Sequence, residues 1–507
     1  MNVKQSIAAM ACVTVPLLMT TGADAKNHKK SKSGRPNIIL ILADDMGWGD
    51  VGYHGFKDIM TPNIDALAAT GTSFSQGYVT SSVSGPSRAG IMTGINQQRF
   101  AYYGNSLKCQ VPLTQPTIAE RVKTAGYKTG MVGKWHLSED DEHAPEARGF
   151  DSFYGFRNGS HDYYRSSTDP HVKNYDLQPV YRNSVIQPPF EKTGAYMTEK
   201  LADEAIDFID KTKGDPYFLF VSFNAVHYPW QVPESYVDRL KNLPVLHEDR
   251  RVFAGMVLAM DDAIGRILDK AWTEDERENT LIFFLTDNGS PRGQGIEVKG
   301  DNRQKDRGQT TMSSPGTLRG FKGDVYEGGF RVPFLINWKG RVPEGEVYSY
   351  PVSSLDIAAT IASITGTEKM KTGHELEGTD IIPYVRREKS GRPHELLFWR
   401  RDNDFAVRKG DWKLEYNDQG STYRIQLFNL AEDPDEYYDL SDKMPEKANE
   451  LINIFDAWEN TNPDYVHKNN PENMNREYVN GYRRDVKSYN DELRKKTYSR
   501  IDLRQNK

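Results

Sequence analysis

The stretch that decides the fold reads Ile38-Ile39-Leu40-Ile41-Leu42-Ala43-Asp44-Asp45. A continuous apolar run without polar alternation predicts a strand that is buried on both faces, as in a mostly parallel sheet. In such sheets, ligands bind beyond the carboxyl ends of the strands. The two aspartates follow the run directly, so the sequence places them where a binding site forms.

Three other apolar runs end in polar side chains in the same way. Residues 129–133 lead to Lys134 and His136, residues 217–223 lead to His227, and residues 281–286 lead to Asp287 and Asn288. One such ending is weak evidence. Together, the four endings predict that metal-binding and acid–base side chains share one edge of the sheet.

A short motif carries the candidate nucleophile and reads Ser84-Gly85-Pro86-Ser87-Arg88, followed by small residues. Proline is favoured at the first position of a helix, which predicts that Ser84 lies just ahead of a helix N-terminus. Backbone N–H groups there attract an anion, and Arg88, one turn later, can reach the same point. Taken alone, the motif also fits an ordinary capped start of a helix.

Length and charge limit the possible functions. The chain has 507 residues, with 65 Lys and Arg against 71 Asp and Glu, for a net charge of −6. This length predicts a large core and more than one structural unit. The mildly acidic balance argues against nucleic acid as the main partner. Affinity for an anionic substrate must then come from local Lys and Arg residues.

The N-terminus predicts a secretory signal peptide at residues 1–25, with an apolar segment from Ile7 to Met19 and a cleavage site of small residues. That segment is too short for a membrane span, and residues 26–34 are expected to form a disordered leader. Removal of Cys12 would leave Cys109 alone, without an intrachain disulfide. We therefore expect an exported bacterial protein, periplasmic or extracellular.

The remaining pattern predicts a catalytic α/β domain at residues 35–370 and a C-terminal α+β subdomain at residues 371–507 that ends in a polar tail. In the second unit, short apolar runs at residues 396–399, 405–408, 412–414 and 424–428 are separated by turns. This spacing predicts a small antiparallel sheet, and residues 445–460 are expected to form a helix packed with it.

Taken with these motifs, the chain resembles the sulfatases that use a formylglycine, within the alkaline phosphatase superfamily. The resemblance runs from about Arg35 to about Leu440 and rests on the segments already quoted, together with residues 318–323, 327–333 and 427–434. It implies a sulfuric ester hydrolase with an α/β fold, in which helices sandwich a large, mostly parallel mixed sheet.

The resemblance assigns a single Ca²⁺ ion to Asp44, Asp45, Asp287 and Asn288. Their hard oxygen ligands suit Ca²⁺ or Mg²⁺ better than Zn²⁺. Adjacent aspartates can also simply cap a helix or turn. The second pair of ligands at an equivalent strand end favours the metal site.

The resemblance also implies that Ser84 is oxidised to formylglycine. Many members of the family carry Cys at this position, so the chain is expected to depend on a serine-type sulfatase-maturing enzyme as a partner. The aldehyde would be hydrated, with His136 as the base for the resulting diol and Arg88 holding it. In isolation, His136 would read as a packed or surface histidine.

Three further roles follow from the same resemblance. Lys134 and Lys322 would bind the sulfate oxygens, as positioned cations stabilise developing charge. His227 would protonate the departing sugar oxygen, as a general acid. Taken alone, Lys322 reads as a solvated lysine and His227 as a packed or surface histidine.

Two other functions remain open at this point. One is a metal-dependent phosphatase or phosphodiesterase of the same superfamily, with unmodified Ser84 as the nucleophile. Those enzymes usually need two Zn²⁺ ions, whereas the sequence offers ligands for one metal. The other is a non-catalytic binder of sulfated glycans, in which Ser84 is never oxidised.

The expected substrate is a sulfated carbohydrate from external or host glycans, with galactose or N-acetylgalactosamine sulfates as the favoured class. Residues 158–165 follow the core motifs, and within them His161 and Asp162 could bond ring hydroxyls. Arg165 completes this set of candidate substrate-binding residues. The same segment can also be read as a surface turn.

Overall fold

The computed structural model describes residues 34–105, 110–245, 247–273, 276–292, 312–370, 373–418 and 423–463. The predicted signal peptide, nearly all of the predicted leader, Cys109 and the polar tail from residue 464 lie outside these residues. Within the described ranges, no helix is both long enough and apolar enough to cross a membrane.

The large sheet has ten strands in the order β11-β2-β10-β9-β1-β8-β4-β5-β6-β7. Its strands are β1 (Asn37–Ala43), β2 (Thr72–Phe74), β4 (Lys128–Lys134), β5 (Ser152–Phe156), β6 (Tyr181–Arg182), β7 (Val185–Ile186), β8 (Tyr217–Ser222), β9 (Thr280–Thr286), β10 (Phe334–Asn337) and β11 (Glu346–Tyr348). The five central strands, β9, β1, β8, β4 and β5, run parallel to one another. Antiparallel pairing begins on either side of them, at β10 and at β6.

Helices cover both faces of this sheet. The described α-helices are α1 (Pro62–Ala69), α2 (Ser84–Thr93), α3 (Ile118–Thr124), α4 (Met197–Lys211), α5 (Glu234–Arg239), α6 (Glu248–Ala271), α7 (Glu327–Phe330), α8 (Leu355–Thr365), α9 (Ile382–Val385) and α10 (Pro445–Glu459). Ile39 and Ile41 of β1 face the core formed with α4 and α6. Ile38, Leu40 and Leu42 face the core formed with α2, α3 and α8. Because both faces of β1 are buried, its sequence is apolar from Ile38 to Ala43.

The C-terminal unit contains a four-stranded antiparallel sheet in the order β13-β14-β15-β16. Its strands are β13 (Leu396–Arg401), β14 (Asp404–Lys409), β15 (Trp412–Asp418) and β16 (Tyr423–Asn429). One face packs against α10 in a separate apolar core. A two-stranded pair, β3 (Gly77–Tyr78) and β12 (Val352–Ser353), lies in the catalytic unit. The predicted fold class, a large mostly parallel mixed sheet between helices plus a small antiparallel sheet with a helix, is confirmed.

Candidate active site at the carboxyl edge of the sheet

The carboxyl ends of the central strands bring together the predicted acidic residues. Asp44 and Asp45 follow β1, and Asp287 and Asn288 follow β9, which is paired in parallel with β1. All four side chains are buried. Asp44, Asp45 and Asp287 each offer a carboxylate oxygen, and these oxygens lie within 4.8 Å of one another.

The backbone at this edge holds the carboxylates in place. Asp45 has a positive φ of 62°, a conformation that is uncommon for residues other than glycine. Its backbone N–H donates to Asp287 Oδ1 at 3.3 Å. The neighbouring Asp44 exchanges backbone hydrogen bonds with Ala225 and Val226, at 2.9 and 2.7 Å. Such a left-handed residue, tied down on both sides, is typical of a functional site.

The donor set fits a divalent cation that prefers oxygen. Asp44 Oδ1 is buried and has no hydrogen-bond partner among the described residues. Burial and the neighbouring Asp287 raise the pKa of the Asp44 carboxyl to about 8, so ionisation of Asp44 is disfavoured in the absence of a cation. Asn288 Nδ2 donates to Asp45 Oδ1 at 2.8 Å, which places its amide in the same cluster. A divalent cation among these oxygens would stabilise the ionised form.

Ser84 lies at the first turn of α2, directly beside this cluster. Its hydroxyl donates to Asn288 Oδ1 at 3.0 Å, and the residue is 1% exposed. The helix begins at Ser84 itself, so Ser84 is its first residue and does not lie just ahead of it as predicted, and Pro86 is the third residue. Proline is tolerated there because N–H groups of the first turn lack helical partners in any case. Gly85 N–H donates instead to Asn105 Oδ1, at 2.9 Å.

Arg88, one turn further on, reaches back toward the same point, as predicted from its spacing. Its Nε donates to Asp287 Oδ2 at 2.8 Å, and its Nη1 donates to Ser222 Oγ at 2.7 Å. Nη2 lies 3.7 Å from Asp44 Oδ1 and has no hydrogen-bond partner among the described residues. A buried guanidinium with one unsatisfied nitrogen is suited to an anionic ligand.

Two lysines bring their ammonium groups to the aspartates. Lys134 Nζ lies 2.6 Å from Asp44 Oδ2, and Lys322 Nζ lies 2.7 Å from Asp45 Oδ1. Burial lowers the pKa of Lys134 despite the attraction of Asp44. Burial also opposes charge on Lys322, but Asp45 and Asp44 outweigh it and raise the pKa of that lysine. The site therefore places three cations, these two and Arg88, around three carboxylates.

The two predicted catalytic histidines also lie at this edge. His136 follows β4 with a positive φ of 56°, and its Nδ1 is buried without a hydrogen-bond partner among the described residues. Burial and the charge of Lys134 lower the pKa of His136 well below its ordinary value. A neutral imidazole with an unpartnered nitrogen can accept a proton from a nearby hydroxyl.

His227 has one ring nitrogen on a backbone carbonyl and the other close to the carboxylates of the site. Nδ1 lies 2.6 Å from the Tyr228 carbonyl oxygen and donates to it, which leaves Nε2 at 3.6 Å from Asp45 Oδ2. Burial lowers the pKa of His227 to about 4, with partial compensation from Asp45. The negative charge of a bound sulfate ester would favour the protonated form that a general acid needs.

The three candidate substrate-binding residues lie in a different setting. His161 is buried, and its two ring nitrogens lie 2.7 and 2.8 Å from the carbonyl oxygens of Asp162 and Gln178. The Asp162 carboxylate accepts hydrogen bonds from the Tyr164 N–H, at 2.9 Å, and from Arg165 Nη2, at 3.0 Å. These contacts favour a structural role for His161 and Asp162, because their polar atoms are already used. Of the three, Arg165 alone is well exposed.

The sequence reasoning missed two residues that support the site. Ser222, at the end of β8, also donates its hydroxyl to the Lys134 carbonyl oxygen at 2.7 Å, so it fixes Arg88 against β4. Asn105 holds the backbone immediately after Ser84. Ser222 is the polar residue near the end of one of the apolar runs, residues 217–223, so its position was a usable signal. Asn105 follows no motif that could have marked it.

Comparison with known proteins identifies what this site is similar to. The family model described as Sulfatase matches residues 36–367 of the chain. An arylsulfatase from Hemicentrotus pulcherrimus is 32% identical over 409 residues, which cover 78% of this chain and 69% of the relative. An N-acetylgalactosamine-6-sulfatase from Canis lupus familiaris is 31% identical over 398 residues, which cover 75% of this chain and 72% of the relative.

Solved structures give a consistent result. The crystal structure of Ps i-CgsB in complex with k-i-k-neocarrahexaose is similar at a TM-score of 0.74 and 33% identity, covering 86% of this chain and 95% of that chain. A phosphonate monoester hydrolase of Agrobacterium radiobacter has a TM-score of 0.58 and 21% identity, over 84% of this chain and 95% of that chain. At 21% identity, the second similarity shows a shared fold only.

Proposed function

Because the chain belongs to the sulfatase family and is a sulfuric ester hydrolase, we propose that it hydrolyses sulfate esters of carbohydrates, with residue 84 as formylglycine and one Ca²⁺ ion. The observation that carries the proposal is the position of Ser84. Its hydroxyl contacts Asn288 at 3.0 Å, inside a largely buried group of three carboxylates and three cations. Membership of the sulfatase family argues against the two alternatives, a phosphatase or phosphodiesterase and a non-catalytic glycan binder.

The cation would be held by the carboxylates of Asp44, Asp45 and Asp287 and by the Asn288 amide oxygen. A bound Ca²⁺ supplies Lewis-acid polarisation of the sulfate oxygens. The orphaned Asp44 Oδ1 and the all-oxygen donor set support this assignment. Turning the Asn288 amide would exchange its Nδ2, now on Asp45, for its oxygen.

Residues around Ser84 would handle the proton and the charge of the nucleophile. Formylglycine supplies an aldehyde whose hydrate attacks sulfur. Arg88 Nη2, which makes no hydrogen bond among the described residues, would bind an oxygen of the hydrate or of the sulfate. His136 Nδ1 would take the proton that the second hydroxyl releases. Both roles use nitrogen atoms that are buried and unsatisfied in the structure.

The far side of the sulfate would be handled by Lys322, Lys134 and His227. The lysines would exchange part of their ion pairs with Asp45 and Asp44 for contacts with sulfate oxygens. His227, oriented by its hydrogen bond to the Tyr228 carbonyl, would give the proton at Nε2 to the sugar oxygen that leaves. A sugar alkoxide is a poor leaving group, so this proton matters for carbohydrate substrates.

The proposed substrate class is a galactose or N-acetylgalactosamine sulfate. Support comes from the relative named an N-acetylgalactosamine-6-sulfatase, at 31% identity, and from the similar structure solved with a neocarrahexaose, at 33%. Arg165 stays a candidate for contact with the sugar. His161 and Asp162 would not contact the sugar themselves but would hold the shape of the segment that carries Arg165.

The proposal also includes maturation by a serine-type enzyme and export from a bacterial cell. N-terminal sequencing of the secreted protein would test the export.

The experiment has two parts. Mass spectrometry of the peptide that contains residue 84, from protein matured by a serine-type enzyme, should show the loss of two hydrogens. That protein is then assayed against defined sulfated mono- and disaccharides, with the Ser84→Ala variant as control. Release of sulfate by the matured protein and not by the variant is expected. Sulfate release by protein that carries unmodified serine would overturn the formylglycine proposal.

A further inference from the structure

A turn of the C-terminal sheet lies at the edge of the active site. Strands β13 and β14 are joined by residues 401–404, which we call the hairpin tip, with Arg401 paired to Asp404 in the antiparallel register. Asp402 has a positive φ of 48° and makes the turn tight. The proposed reaction uses none of these residues, yet Arg401 and Asp402 contact the segments that position Ser84.

The first contact runs through Asp402. Its backbone N–H donates to the Tyr103 carbonyl oxygen at 3.4 Å, and its Oδ1 lies 2.6 Å from where a Cβ on Gly104 would be. Only a glycine allows the carboxylate to approach so closely. The next residue, Asn105, accepts the hydrogen bond from Gly85 N–H. Gly104, which lies against Asp402, and Asn105, which holds Gly85, therefore connect the hairpin tip to the start of α2.

The second contact runs through Arg401. Its Nη1 lies 2.9 Å from where a Cβ on Gly323 would be, so the guanidinium rests against the backbone one residue after Lys322. Gly323 has a positive φ of 93°, and its N–H donates to the Ser82 carbonyl oxygen at 2.8 Å. Arg401 thus lies beside the loop that carries a sulfate-binding lysine and that is bonded to the segment before Ser84.

The guanidinium of Arg401 is only loosely held by the protein. Its contacts to Asp404 and Asp402 measure 3.3 and 3.8 Å, and its Nε makes no hydrogen bond among the described residues. By contrast, Arg392 in the same subdomain contacts both oxygens of Asp411 at 2.9 Å. The Arg401 side chain is 31% exposed. It keeps donors available, and guanidinium groups bind oxyanions through paired hydrogen bonds.

We propose that Arg401 binds a second anionic group of the substrate, a sulfate or a carboxylate carried by the same sugar or its neighbour. This inference rests on the proposed function, because it extends the site that holds the scissile sulfate. It makes the substrate a saccharide with at least two anionic groups. Asp402 and Asp404 orient the arginine and place it at the rim, where one subdomain meets the other.

The experiment measures binding without turnover, in a Ser84→Ala background with Ca²⁺ present. Isothermal titration calorimetry compares three probes: galactose 6-sulfate, a disulfated galactose, and 6-sulfated N-acetylgalactosamine linked to glucuronate. We expect Arg401→Gln to weaken one or both dianionic probes by about 10- to 100-fold, the range for a charged hydrogen bond. The monosulfated probe should lose less. The dianionic probe that loses affinity identifies the group as sulfate or carboxylate.

Two variants accompany this measurement. Arg392→Gln removes an arginine of the same subdomain that is tied to Asp411, and it should leave the ratio between probes unchanged. Arg401→Lys keeps the charge and should retain part of the preference, and it replaces Arg401→Gln if that variant fails to fold. An equal loss on all probes, or no loss, overturns the role of Arg401 alone. Failure of the Ser84→Ala parent to bind any sulfated sugar overturns this inference together with the proposed carbohydrate substrate.

Discussion

Two groups of buried charged side chains differ in how their charges are satisfied. The catalytic-edge cluster consists of Asp44, Asp45, Asp287, Arg88, Lys134 and Lys322. The interdomain cluster consists of Glu327, Lys413, Glu415 and Glu436, where the C-terminal sheet meets the catalytic unit. The side chains of the interdomain cluster are buried, and so are nearly all of those in the other.

The interdomain cluster is built around a single ammonium group. Lys413 Nζ contacts Glu327 at 3.1 Å, Glu415 at 2.9 Å and Glu436 at 2.5 Å. Glu327 also accepts a hydrogen bond from the Tyr78 hydroxyl at 2.7 Å. Burial and the adjacent Glu436 raise the pKa of Glu415 well above its ordinary value, despite the attraction of Lys413. Lys413 has three N–H groups and three carboxyl partners.

The comparison separates a structural cluster from one that is built for a ligand. In the catalytic-edge cluster, Asp44 Oδ1 and Arg88 Nη2 have no hydrogen-bond partner among the described residues. One of these atoms can take a cation and the other an anion. In the interdomain cluster, Lys413 pairs with three carboxyl groups, and the two carboxyl oxygens of Glu415, which also lack a hydrogen-bond partner among the described residues, belong to one sign of charge only. Buried charge is therefore informative about function when atoms of both signs of charge remain unsatisfied side by side.

The largest expected effect comes from the catalytic-edge cluster. Asp287→Asn removes a charge that serves both the proposed cation and Arg88, so we expect kcat/KM to fall by roughly 10³-fold or more. Ca²⁺ should raise the melting temperature of the parent protein, because a ligand of the folded state stabilises it. The variant should lose this rise. The two measurements are kcat/KM on a sulfated sugar and thermal unfolding with chelator or Ca²⁺.

Asp151→Asn serves as the control, because that carboxylate pairs with Lys123 at the surface. It should keep both the activity and the Ca²⁺-dependent rise. If Asp287→Asn remained fully active in exhaustive chelator, the metal assignment would be refuted.

The opposite pattern is expected in the interdomain cluster. Lys413→Met leaves buried carboxyl groups without their cation, so the free energy of unfolding should fall by about 3–5 kcal/mol. The kcat of the folded fraction should stay the same, since Lys413 contacts no residue assigned to the reaction. Denaturant unfolding and active-site-normalised kinetics provide the two readouts. Lys409→Met, on the neighbouring strand and 48% exposed, should cost no more than about 1 kcal/mol. A selective loss of kcat in Lys413→Met would contradict the structural role.

A smaller effect is expected for His227, and it depends on the leaving group. His227→Ala should lower kcat/KM on a sulfated sugar by roughly 10²-fold, the usual size of general-acid catalysis. An aryl sulfate should be affected far less, because an aryl oxide leaves without protonation. His143→Ala, which removes a histidine paired with Asp140, is the matched control. Equal losses on both substrates would assign His227 to sulfate binding or to the fold.

The sequence predicted the central sheet and its functional edge because both follow from local pattern. Strands such as Thr280–Thr286 are buried on both faces, so they are apolar between their end residues, and the polar residues that follow mark where the strands end. The residues that follow them need only the parallel arrangement to meet at one edge. The resemblance to a family supplied the roles of Ser84 and Lys322, which the pattern alone could not give.

Other features depend on partners that are distant in sequence. His161 could be read as a sugar contact because its hydrogen bond to the Gln178 carbonyl arises only in the folded segment. In β15, Lys413 and Glu415 alternate with apolar residues and so indicate a solvated face. That face instead packs against the catalytic unit, while Leu414 faces the core with α10. Burial of the second face is a property of domain packing that alternation in one strand cannot reveal.

The smallest expected effect concerns an ion pair that can be switched by pH. His394 Nε2 lies 2.8 Å from Asp356 Oδ1, in a largely buried setting where the C-terminal unit meets the start of α8. Burial alone would lower the pKa of His394, but the charge of Asp356 and the hydrogen bond to it outweigh burial and raise that pKa above its ordinary value. The pair therefore stabilises the fold fully below about pH 6.5, and this contribution is lost as pH rises through the folded pKa.

The His394→Gln variant keeps a hydrogen-bond donor and removes the charge. At pH 6 its free energy of unfolding should lie roughly 1.5–3 kcal/mol below that of the parent, the range for hydrogen bonds to charged groups. At pH 9 the gap should be smaller, because the parent histidine loses its charge as pH rises through its folded pKa. Urea unfolding of both proteins at the two pH values measures the difference. A gap of the same size at pH 6 and pH 9 would mean that packing of the ring, and not the charge of the pair, joins the two units at this point. The pair would then resemble neither cluster, since its contribution would not depend on charge.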